Sequence, residues 1–111
     1  MNTNGIPEIA PQELAAIMDK VTLIDVRQPE EFVGELSHIP KAQLVPLGQA
    51  LDTYLTNHKN KDEQIVFVCR SGARSGRATT QSMELGFTNT INLQGGMILW
   101  NNLNLPVAGG K

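Results

Sequence analysis

The chain has 111 residues, 41% of them hydrophobic and 18% charged, with a formal net charge of −2 at pH 7. This is the size and composition of one ordinary globular domain, too short for two cores and too apolar for a disordered or fibrous chain. The slightly acidic balance offers no broad basic surface, so no nucleic-acid partner is expected.

The elements follow in chain order. After an extended start around Glu8-Ile9-Ala10, Pro11 suits the first position of a helix from Pro11 to Asp19, with Leu14, Ile17 and Met18 at helical spacing. Val21 to Val26 is a short apolar, β-branched run with little alternation, the pattern of a strand covered on both faces. Pro29-Glu30-Glu31-Phe32 opens a short helix with acids in its first turn, and Gly34 ends it. Ala42 to Val45 reads as an edge strand closed by Pro46, and Leu47, Ala50, Leu51, Tyr54 and Leu55 predict a helix from about Leu47 to His58. A polar loop leads to a second buried strand, Gln64 to Cys69, which Arg70-Ser71-Gly72-Ala73-Arg74 interrupts. A helix is predicted from about Ser75 to Leu85, with Gly86 and Phe87 arranged for a Schellman-type end and only a thin apolar stripe, since Gln81 and Ser82 occupy its middle. Thr90 to Leu93 forms the last strand, Gly95-Gly96 a turn, and Met97 to Leu103 the last helix.

Strands alternating with helices over short connections imply an α/β fold, a parallel sheet of about five strands with helices on both faces. One domain over residues 1–111 is expected, ordered from about 7 to 107 with flexible termini. Met1 to Pro7 has neither a basic start nor an apolar stretch, and no run reaches bilayer-spanning length, so a cytoplasmic location without membrane contact is expected.

A single cysteine excludes an internal disulfide, a Cys-x-x-Cys redox pair and a cysteine zinc cluster, and no metal is expected. In open parallel sheets ligands bind beyond the carboxyl ends of strands, where Asp25-Val26-Arg27 and Cys69-Arg70-Ser71-Gly72-Ala73-Arg74-Ser75 fall at one rim. A lone intracellular cysteine is most often a small buried hydrophobe. The arginines, the tight glycine loop and the following helix N-terminus contribute nothing to a core, however, and all of them favour a thiolate.

The run Cys69 to Arg74 resembles the active-site loop of rhodanese-like domains. Asp25-Val26-Arg27 with Glu30, Glu31 and Phe32 is similar to that family's Asp-Val-Arg-x-x-x-Glu-Phe segment, and His38-Ile39-Pro40 with Ala42 to its Gly-His-Ile-x-Gly-Ala segment. Gly86-Phe87, Leu93-x-Gly95-Gly96, Trp100 and Leu105-Pro106-Val107 follow in the family's order, so the resemblance spans nearly the whole chain. Ser37 and Lys41 depart from it at places usually held by glycine, and Ser82 at one usually apolar.

The resemblance implies a three-layer rhodanese-like fold and a sulfurtransferase. Cys69 would take sulfur from thiosulfate or a persulfide donor, hold it as a persulfide, and pass it to cyanide or a thiol, with no cofactor. N–H groups from Arg70, Ser71, Gly72, Ala73, Arg74 and Ser75 would hold the small anionic donor, with Arg70 and Arg74 at its negative end. Arg74 is equally suited to pair with a carboxylate such as Glu30, and Asp25 and Arg27 either orient the loop or form a surface pair of little energetic weight. His38 and His58 read as structural, and Phe32, Phe87 and Trp100 as core.

Three alternatives remain at this level. A phosphatase or arsenate reductase on the same fold needs Cys-x5-Arg, whereas Ser75 stands at that place and Arg74 falls one residue early. A non-catalytic binding module is opposed by the presence of the cysteine and both arginines. A carrier passing sulfur to a protein acceptor fits the same motif.

Overall fold

The computed structural model describes residues 5–109. The expectation of flexible termini therefore falls, at 1–4 and 110–111, outside the described residues.

Strands β1 (Glu8–Ile9), β2 (Thr22–Asp25), β3 (Gln43–Leu44), β4 (Ile65–Val68) and β5 (Thr90–Leu93) form one sheet in the order β1-β5-β4-β2-β3. Every pairing is parallel. Helices α1 (Pro11–Ile17), α2 (Pro29–Phe32), α3 (Gln49–Asn57), α4 (Ala73–Glu84) and α5 (Gly96–Asn102) complete the chain. The α/β fold with a five-stranded parallel sheet is the one expected, and β4, which leads into Cys69, lies at its centre.

The period-two geometry of the strands divides the core. Ile24, Val26, Ile65, Phe67 and Cys69 face α3 and α4, where they meet Leu51, Leu55 and Ala78. Leu23, Val66, Val68 and Leu93 face Leu14 of α1 and Met97 and Trp100 of α5. Fully burying a Leu, Ile or Phe side chain contributes about 1.5–3 kcal/mol, so these two layers are the main source of stability.

Most boundaries differ from the sequence reading by a residue or so, and three larger differences each have a local reason. Leu47 is not helical, because its N–H still bonds Val26 O at 3.0 Å, extending the pairing beside β2; α3 begins only after Gly48. The first helix tightens into a 3₁₀ turn at Met18–Lys20. Most consequentially, α4 starts at Ala73 rather than Ser75, because Gly72 takes a left-handed φ of 105° and turns the chain directly into a helix.

The thin stripe of α4 is explained by what it buries. Ser75, Gly76, Ala78, Thr79 and Ser82 face the sheet, all small, so the helix packs closely. The hydroxyls are satisfied: Thr79 Oγ1 donates to Ser75 O at 2.8 Å and Ser82 Oγ to Thr79 O at 2.7 Å. The helix ends as its glycine predicts, with Phe87 N donating to Ser82 O and Gly86 N to Met83 O, a Schellman pair.

Candidate active site

Cys69 follows the last residue of β4, and its side chain is buried, 1% exposed. Gly72 N–H donates to Sγ at 3.0 Å, and the Ser75 hydroxyl lies 3.2 Å away. Of the backbone N–H groups expected along the loop, that of Gly72 bonds the sulfur, while Ser75 reaches it through its hydroxyl, a donor the sequence reading did not name. Because α4 starts at Ala73, Ser75 belongs to its first turn, and the sulfur sits against the end of the helix where unpaired N–H groups and the helix dipole favour negative charge.

The loop is held from behind by α5. Met97 N donates to Cys69 O at 2.9 Å and Ile98 N to Arg70 O at 3.0 Å, so orphan donors of one helix N-terminus pair with carbonyls of the loop. Gly96 makes this approach feasible: a Cβ there would lie 2.5 Å from Arg70 C, Arg70 O and Cys69 O. The Gly95-Gly96 pair, expected to be a simple turn, is thus also a close-packing device for the loop.

Arg70, Ser71 and Ala73 are exposed on the rim. Arg74 turns aside: its Nη1 and Nη2 donate to the two carboxylate oxygens of Glu31 at 2.7 and 2.8 Å, a bidentate pair. The partner is Glu31, correcting the expected Glu30, which is exposed. Neighbours on a helix point about 100° apart, so only one acid of this turn can face the loop. Glu31 Oε1 also accepts from Gln28 N at 3.0 Å, tying α2 into the same arrangement. The Arg74 hydrogen bonds, helped by the Gln28 N–H, hold the Glu31 carboxyl at about 2.

Asp25 and Arg27 are not a surface pair. They are 0% and 1% exposed, with Arg27 Nε donating to Asp25 Oδ1 and Nη2 to Oδ2, each at 2.9 Å. Arg27 Nη2 also donates to Ser37 O at 2.6 Å, fastening the end of β2 to the loop before β3.

Asn92 on β5 is a further constituent. Its Nδ2 donates to Gly72 O at 3.2 Å and Glu8 Oε2 at 3.0 Å, while Oδ1 lies 2.5 Å from Ser75 Oγ. The one signal for it in the sequence is an amide between two apolar residues, Ile91 and Leu93, of a strand.

The family pattern for the rhodanese-like domain matches residues 10–103. The chain belongs to the rhodanese-like domain family. It is 37% identical over 100 residues to a sulfurtransferase of Allochromatium vinosum, covering 90% of this chain and 89% of that one. It is 38% identical over 105 residues to an uncharacterized Synechocystis protein, covering 93% of this chain but only 56% of that longer relative. Among solved structures, a rhodanese-related protein from Thermoplasma volcanium superposes with a TM-score of 0.79 at 24% identity, covering 92% of this chain and 97% of that one.

In this rhodanese-like domain the two residues standing in glycine places both carry left-handed backbone, Ser37 at φ 56° and Lys41 at φ 72°. His38 between them is a structural residue: Nδ1 donates to Phe32 O at 2.9 Å and its ring stacks on Phe32. His58 lies in a different cluster, 2.6 Å from Glu63 and stacked on Tyr54. Beside the loop, a groove of about 530 Å³ runs along one side of α4, between Ile6 and Ala73, Arg77 and Thr80. Among the described residues no cluster of three or more His, Cys, Asp or Glu side chains could hold a metal, and no helix is long and apolar enough to cross a membrane.

Proposed function

We propose that this protein is a sulfurtransferase that carries sulfane sulfur on Cys69. The observation supporting the reading is the setting of Sγ, which has the Gly72 N–H and the Ser75 hydroxyl within hydrogen-bonding reach at the start of α4. Such an environment suits a thiolate and afterwards a persulfide anion.

The Cys69 thiolate attacks the outer sulfur of thiosulfate; the sulfur–sulfur bond of the donor breaks, and sulfite leaves with its electron pair. Cys69 then carries one extra sulfur as a persulfide. An acceptor nucleophile attacks that outer sulfur, giving thiocyanate from cyanide or a persulfide from a thiol, and the Cys69 thiolate returns. No cofactor enters the scheme. Arg70, exposed on the rim, draws in the anionic donor, while Arg74, held by Glu31, fixes the loop's shape and contributes its field. A protein acceptor of sulfur fits the same chemistry, with the groove along α4 as its line of approach.

The test is an intact-mass measurement. Reduced protein incubated with thiosulfate is expected to gain one sulfur, about 32 Da, and to lose it to cyanide as thiocyanate. Cys69→Ser should fold normally and gain nothing; turnover of thiosulfate by that variant would overturn the mechanism. Absence of the mass gain together with hydrolysis of an aryl phosphate would favour a phosphatase.

A further inference from the structure

Behind Cys69 the Ser75 hydroxyl leads on to Asn92, a side chain that the transfer scheme does not use. Ser75 and Asn92 are 0% and 1% exposed, so neither exchanges its partners for bulk water. The orientation of the Asn92 amide is fixed chemically, since the carbonyl of Gly72 and the carboxylate of Glu8 both accept and must face Nδ2. Oδ1 therefore faces Ser75, and it can only accept. A hydroxyl and a carbonyl oxygen 2.5 Å apart share a proton, and the only one available is that of Ser75.

Ser75 thus has one proton and two takers, Asn92 Oδ1 and Cys69 Sγ. We infer that Asn92 is a positioning residue which competes with Cys69 for the Ser75 hydroxyl proton, and so sets how readily the sulfur becomes and remains a thiolate.

Three states follow. In the thiol, S–H donates to Ser75 Oγ while the hydroxyl donates to Asn92. When the thiol proton leaves to solvent, the hydroxyl rotates toward the anionic sulfur and Asn92 loses its donor. In the persulfide, on the sulfur-transfer reading given above, charge moves to the outer sulfur, Sγ becomes a weak acceptor, and the Ser75 proton returns to Asn92. Asn92 thereby opposes the free thiolate relative to the thiol before it and the persulfide after it, favouring a loaded resting state.

The other charged groups around the sulfur are Asp25 with Arg27 at the end of β2, Arg74 on α4 paired with Glu31 of α2, Arg70 on the rim, and Glu8 of β1 behind Asn92. Substitutions at Ser75 and Asn92 keep all of these charges, and only Glu8 loses a hydrogen bond, the one from Asn92 Nδ2.

The experiment uses iodoacetamide on the full chain, whose one cysteine makes intact mass an unambiguous readout, and follows alkylation rate against pH. Asn92→Leu frees the hydroxyl for the sulfur and should lower the midpoint of the profile by about one pH unit, roughly tenfold in thiolate fraction below the midpoint. Ser75→Ala removes the donor and should raise it by about as much. In the Ser75→Ala background, Asn92→Leu should have no further effect, because Asn92 acts through Ser75. Asn92→Val, well suited to a strand, serves in place of Asn92→Leu should that variant not fold.

An Asn92 variant that leaves the midpoint unchanged or raises it, or that still shifts it without Ser75, overturns the inference. Thiosulfate loading is measured on the same samples. The expected alkylation shifts without loading would sink the sulfur-transfer reading and leave the competition standing, whereas loading with unshifted profiles would sink the competition alone.

Discussion

Asp25 and Arg27 illustrate how burial changes the weight of a charge pair. An exposed pair such as Lys41–Asp19, at 3.5 Å and 75% exposed on both sides, adds little to stability. In the buried pair each charge depends on the other, since desolvation has already been incurred and water cannot replace a lost partner. Arg27→Ala strands the Asp25 carboxylate and the Ser37 carbonyl, and is expected to lower the unfolding free energy by about 3–5 kcal/mol. Urea denaturation measures this; a change below about 1 kcal/mol would mean that the carboxylate finds other partners. Arg74 differs in kind, because its partner Glu31 sits nearer the surface and the pair's main effect is to fix the loop.

At the scale of elements, two helix N-termini meet at one loop. The start of α4 presents Ser75 to the sulfur, and the start of α5 supplies N–H groups to the carbonyls of Cys69 and Arg70. The second contact requires backbone to lie against backbone at Gly96, which also has φ 57°. Gly96→Ala must push the loop away from α5 and adopt a left-handed conformation, for a combined cost of about 2–4 kcal/mol. Its thermal midpoint should fall, and sulfur loading of the folded fraction should fall with it. Loading at the parent rate would show that α5 supports the fold but not the site.

Across the whole molecule, two carboxylates tie segments distant in sequence together. Glu31 joins α2 to the first turn of α4, while Glu63 accepts from the Thr22 hydroxyl and lies 2.6 Å from His58 at the opposite ends of β2 and β4. The Thr22 hydrogen bond, then His58, lowers the Glu63 carboxyl, and Arg74 lowers Glu31 from 4.5 to about 2. Both groups bind protons less readily folded than unfolded, so their contribution is complete above the ordinary carboxylate range and is lost as pH falls through it. Unfolding free energy should therefore decline from about pH 4.5 toward about 2, with Glu31 accounting for about 1–2 kcal/mol after solvent screening. Fluorescence of the single, fully buried Trp100 reports the transition. Glu31→Gln should flatten the slope in this window; an unchanged slope would assign the acid sensitivity elsewhere.

The sequence by itself determined the alternation of strands and helices, the family, and the placing of Cys69 at the end of a buried strand, because apolar runs, proline and glycine act locally along the chain. It also marked Ser37 and Lys41 as departures, although only the backbone revealed that both are left-handed. Tertiary structure alone chose Glu31 over Glu30, buried Asp25 and Arg27, set Gly96 against the loop, and brought Asn92 of β5 beside Ser75 of α4. Asp25 and Arg27 are neighbours that only the rest of the packed chain can bury, and the other three join segments far apart in sequence. Their pairing depends on strand order and helix rotation, which residue spacing does not encode.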